Sequence, residues 1–187
     1  MMKQYDFRFD TALIKSFIGK TLTKYKHAEF MYTNSVTAVL GFEIEDVVYE
    51  LTNEFEAMDF LTLDGEATIF RISKTKWNNI DSMINNDINE TNVGETIKKI
   101  LLINDHTTLK IDENVAYDMW DTKAIIFCFE NYELCFVKQD CWFSQEIEIY
   151  KGHALLDKTG DGNGILDDFD EDETKKAFVE RTIVEIK

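Results

Sequence analysis

Eight acids stand against a single lysine within residues 157–173, DKTGDGNGILDDFDEDE, and here residue type and spacing together suggest ligand chemistry. Asp157, Thr159 and Asp161 place oxygen-bearing side chains at alternate positions, and Gly162 follows where a sharp turn needs a residue without a Cβ. Asn163 offers a carbonyl next, and Asp168 closes the run five residues further on. Calcium takes about six to eight oxygens converging on one point, and alternate ligands followed by a tight glycine turn deliver that geometry. Magnesium is the second candidate, through the same oxygens.

The pattern is similar to a twelve-residue EF-hand loop, over that stretch alone, and it departs from that loop in three ways. Thr159 stands where Asp or Asn is usual, Asp168 is shorter than the usual closing Glu, and Gly164 replaces an apolar residue. The preceding EIEIYKGHALL reads as a strand and a loop, not an entering helix. Two plainer readings compete with the cation site: an acidic loop that holds no ligand, and an acidic surface that docks a basic protein.

Catalytic motifs are missing from the sequence. No nucleophile elbow, phosphate-binding glycine loop, zinc-protease helix or dinucleotide fingerprint occurs. The three histidines, at 27, 106 and 153, read as surface or structural residues, and His27 and His106 hold no matching places along the chain. Cys128, Cys135 and Cys141 are odd in number and fit no zinc spacing, so they read as reduced thiols. Trp77, Trp120 and Trp142 sit in apolar patterns without interleaved basic residues, which favours packing over base stacking. Glu50 and Glu133 share a Tyr-Glu-Leu context, and strand alternation turns both toward solvent.

Composition narrows the class further. The net charge is −16, from 36 acids and 20 bases, which opposes nucleic acid and anionic membranes and favours cations or basic proteins. No apolar run spans a bilayer, and MMKQYDFRFD lacks the layout of a signal peptide, so a cytoplasmic location is expected. Absent proline with abundant Asn, Ile and Lys is the bias of an AT-rich bacterial genome.

The elements that must position these residues are mostly strands. Tyr5, Phe7 and Phe9 alternate; Asp10 then reads as the cap of a helix through Leu13, Ile14, Phe17 and Ile18, ended by Gly19. Hairpins follow at Glu45-Asp46, Asp64-Gly65 and Glu130-Asn131. Trp77, Ile80, Met83, Ile84 and Ile88 recur at helical spacing, predicting a second helix over 76–88. The tail 178–186 favours a strand. Two stretches echo each other: Gly19 to Lys24 resembles Gly94 to Lys99, and the Phe42 hairpin resembles the Phe127 hairpin. The expectation is therefore an α+β fold of antiparallel hairpins with about two helices. It forms a single unit over 1–187, with similar halves at 1–75 and 76–187 packed as a pseudo-twofold pair. The expected function is non-catalytic binding or regulation in a bacterial cytosol, through a basic protein partner. The alternatives are a calcium or magnesium module and a hydrolase or transferase using carboxylates between the halves.

Overall fold

A computed structural model describes residues 2–28, 34–37, 39–60, 63–80, 88–139, 141, 144–162 and 175–187. Its strands are β1 (Lys3–Phe7), β2 (Thr21–Ala28), β3 (Ser35–Thr37), β4 (Val39–Ile44), β5 (Val47–Phe60), β6 (Leu63–Thr75), β7 (Ile88–Thr96), β8 (Lys99–Ile111), β9 (Asn114–Cys128), β10 (Glu133–Lys138), β11 (Glu146–Gly152) and β12 (Lys175–Ile186). The helix α1 (Thr11–Lys15) and two 3-10 turns, Trp77–Asn79 and Leu155–Lys158, complete the described residues.

The fold is nearly all-β, which corrects the expected α+β class. Both helix expectations shrink, for physical reasons. Asp10 does cap α1, accepting a hydrogen bond from the Ala12 amide at 2.8 Å. The helix stops after five residues because Ile14 and Phe17 already reach the core, and Gly19 turns the chain at φ +77°. The described part of the second expected helix, 76–80, makes a single 3-10 turn at Trp77–Asn79. Trp77 and Ile80 lie on Gly41 of β4, so close that a Cβ there would sit 2.6 Å from Ile80. The Asn residues around them are poor helix formers, and by Ile88 the chain is already a strand; residues 81–87 lie outside the described set.

Two sheets share one core. The first runs β6-β5-β4-β2-β7 and the second β12-β8-β9-β10-β11-β3, with β1 parallel against β9 and every other pairing antiparallel. In the second sheet β8 to β11 lie side by side and β12 returns beside β8. In the first, β2, β4, β5 and β6 lie side by side and β7 returns beside β2, with β3 between β2 and β4 in the chain but paired in the second sheet. The sheets therefore do not divide the chain at one point: β1 and β3 precede β7 yet belong to the second sheet. Gly19 and Gly94 both hold positive φ, and three residues on, Leu22 and Ile97 are both fully buried.

Aromatic rings join the sheets. Phe42 of β4 lies 5.7 Å from Phe127 of β9, and Phe17 meets Tyr49 edge-on at 4.8 Å. Each large apolar side chain withdrawn from water here contributes about 1.5–3 kcal/mol. Strand alternation sends Ile125 and Phe127 into this core and Ala124, Ile126 and Cys128 to the opposite face, where Leu155 packs over them. Cover on both faces explains why KAIIFCF is apolar almost throughout.

One edge of β9 is divided. Its residues 124–128 pair with β10, whereas residues 117–121 pair with β1; the other edge pairs with β8 along its length. Bulges at Ile103/Asn104 and Leu109/Lys110 interrupt the β8–β9 ladder. At the division lie buried charges: Lys138 contacts Asp121 at 2.7 Å and donates to the Thr68 carbonyl at 3.5 Å, with Lys123 also buried.

Candidate functional site

Cross-strand register sets polar and aromatic side chains in rows on one face of the second sheet. Directly paired residues share a face, and Asp6, Trp120, His106 and Glu180 are paired in sequence across β1, β9, β8 and β12. Gln4, Asp118, Thr108 and Phe178 form the next row, and Thr122, Asn104 and Thr182 the row on the other side. Phe178 is 48% exposed, a large value for a ring on a strand.

Trp120 is held between two partners. The His106 ring stacks on it at 4.3 Å with an interplanar angle of 5°, and the Arg8 guanidinium lies 4.6 Å from its centroid. Asp6 grips that guanidinium through both oxygens, at 2.9 and 2.6 Å. His106 Nε2 is hydrogen bonded to Asp118 at 2.5 Å, and Gln4 donates to the other Asp118 oxygen at 3.2 Å. The His106 bond holds the Asp118 carboxyl below its ordinary range, and the Arg8 bond does the same for Asp6. Glu180 stands 3.9 Å from His106 Nδ1. The cluster is a preorganised surface whose donors and acceptors are largely matched to each other.

Beside this cluster an open groove of about 570 Å³ is lined by Asp6, Arg8, Phe9, Asp10, Thr11, Asn104 and Val184. It lies between Val184, which packs against the core shared by the sheets, and the Asp6 end of the Trp120 row. Thr122 ties its floor together, accepting from the Phe9 amide at 2.9 Å and donating to Asn104 Oδ1 at 2.8 Å.

The acids singled out in the sequence lie elsewhere. Asp157 is in the turn Leu155–Lys158 and is exposed. Thr159 is buried: its hydroxyl donates to the Leu156 carbonyl at 2.9 Å, and Arg181 donates to its carbonyl at 3.2 Å. Arg181 also reaches the Gly160 carbonyl, while Asp105 holds the same guanidinium through two contacts of 2.7 Å. Gly162 takes φ +82°, the glycine conformation expected there, and Asp161 is exposed beside it. Asn163 and Asp168 lie outside the described residues, as does Trp142. Among the described residues no group of three or more His, Cys, Asp or Glu side chains is placed to hold a metal ion. In the described part of this stretch, Arg181 also lies 3.4 Å from the Thr159 hydroxyl, one of the oxygens that a cation would use.

The other sequence candidates take structural roles. His27 is buried, and burial holds its pKa down. Glu133 accepts from the Leu155 amide at 2.8 Å and from the Cys128 thiol at 3.8 Å; burial, with Glu133 second, pushes that thiol up to about 11, so it stays protonated. Glu50 accepts from the Ser73 hydroxyl at 2.8 Å. Buried acids Asp105 and Asp121 sit outside the apolar core between the sheets, each against a cation. The Trp120 cluster escaped the sequence reading because its basic neighbours come from other strands. Arg8 is 112 residues away in the chain.

Comparison with protein families, with curated proteins and with solved structures returned no match. No helix among the described residues is long and apolar enough to cross a membrane.

Proposed function

We propose that the protein is a non-catalytic binding protein that docks a basic protein partner on the face carrying Trp120 and Phe178. The observation behind this reading is a face of the second sheet that no described strand covers, where Phe178 is solvent-exposed and the largely exposed Glu180 stands in the row of Trp120. Aromatic anchors amid polar groups are common interface features. A net charge of −16 steers cationic partners toward the molecule.

Affinity capture from native lysate tests it, using the wild-type chain and a Phe178→Ser/Glu180→Lys variant. A basic protein retained by the wild type at physiological salt, and lost by the variant and at high salt, is the expected result. Capture that is indifferent to the variant would reject this face as the docking surface.

A further inference from the structure

We infer that the groove lined by Asp6, Arg8, Phe9, Asp10, Thr11, Asn104 and Val184 receives an arginine or lysine side chain of the docked partner, together with the adjacent peptide carbonyl. The inference rests on the docking reading above and names the chemistry of its contact. Three features of the groove carry it. Asp6 and Arg8 neutralise each other through two hydrogen bonds, leaving Asp10 as the charge without an ion-pair partner among the described residues. Asp10 uses one oxygen to cap α1. A cation is therefore the ligand that the groove's charge selects.

Asn104 supplies the second requirement. It is only 4% exposed, and its Oδ1 is taken by the Thr122 hydroxyl, yet its Nδ2 makes no hydrogen bond with the described residues. An amide donor left open at the floor of a groove asks for a carbonyl-type acceptor, because an unmatched donor loses its water without recompense. Phe9 and Val184 offer apolar contact for an aliphatic stem, the way long cationic side chains commonly bury their methylenes. A peptide residue with a cationic head, an apolar stem and a backbone carbonyl matches all three.

The probe is the tripeptide acetyl-Gly-Arg-Gly-amide, titrated into the full chain and followed by amide chemical shifts, with its citrulline counterpart as the neutral isostere. The expected result is a shift map centred on the Asn104 side-chain amide and residues 9–11, and no saturable shift with citrulline. Asp10→Asn keeps the helix cap, since Asn caps as well as Asp, and should weaken binding about three- to fivefold, the size of one exposed ion pair. Glu54→Gln, an equal charge change at an exposed position of β5, should leave it unchanged. Equal weakening by both variants, shifts centred elsewhere, or no shift at all would each overturn the groove assignment. The capture experiment stands apart from these outcomes, so docking on the face can survive the loss of the groove.

Discussion

Replacing Lys138 with methionine tests the physics of the divided edge of β9. Lys138 and Asp121 are each about 2% exposed and touch at 2.7 Å, so neither charge is bathed by water. Among the described residues Asp121 Oδ1 has no hydrogen-bond partner, which leaves Oδ2 and its contact with Lys138 as that carboxylate's main compensation there. Lys138→Met keeps the length of the stem and removes the ammonium, stranding a buried carboxylate. Breaking one side of such a pair costs about 3–5 kcal/mol. With a urea slope of about 1–3 kcal/mol per molar, the unfolding midpoint should fall by at least about 1 M. Removing both charges, as Asp121→Leu with Lys138→Met, should recover most of the loss, since a buried pair is close to neutral against apolar residues of similar volume. Urea unfolding followed by tryptophan fluorescence reads the wild type and both variants. A single variant within about 1 kcal/mol of wild type would show that water reaches Asp121 in solution, and the buried-pair reasoning would fail.

Gly41→Ala places a Cβ against Ile80 and Trp77 and should cost about 1–3 kcal/mol by overpacking, measured by thermal unfolding; trimming Ile80 to alanine in the same chain should return part of that loss. His27 is buried with its pKa depressed, so below the ordinary value of about 6.5 the unfolded chain takes up a proton that the folded chain refuses. Stability should thus decline as pH falls from there through the folded pKa, and His27→Asn should flatten that part of the profile. Burial keeps Cys128 and Cys135 protonated, so under native conditions a disulfide reagent should label Cys141 within minutes and the other two only after unfolding. Calorimetry with millimolar calcium should give no saturable heat, because Arg181 already holds the oxygens of Thr159 and Gly160; a tight endpoint near equimolar calcium would contradict this.

Strands were legible where the chemistry is local, except that Asp64-Gly65, expected as a turn, lies inside β6, where Asp64 pairs with Asp59 and Gly65 with Met58. The hairpins at Glu45-Asp46 and Glu130-Asn131 are where turn residues and alternation placed them, with Glu45 at φ 55°. Helices were overread, since Trp77 and Ile80 have the spacing of a helical face but serve one turn against a glycine. The acidic stretch drew attention because eight acids lie together, whereas its anchor, Arg181, sits in the final strand and gives no local signal. The Trp120 cluster was the least visible of all. Its members come from β1, β8 and β9, and only register brings Asp6, Trp120 and His106 into one row. A single sequence shows which residues alternate, and says little about which strand lies beside which.

The parallel strand β1 has a consequence for how the protein is made. Its hydrogen-bonding partner, Tyr117 to Asp121, lies more than a hundred residues downstream. During synthesis β1 cannot take its place until the chain through Asp121 has followed. Through that interval Tyr5 and Phe7, which end packed against Met119 and Tyr117, have nowhere to go. Until β9 is made, β1 is an apolar, strand-forming segment without its partner, open to chaperones and to the β9 edge of a neighbouring polypeptide.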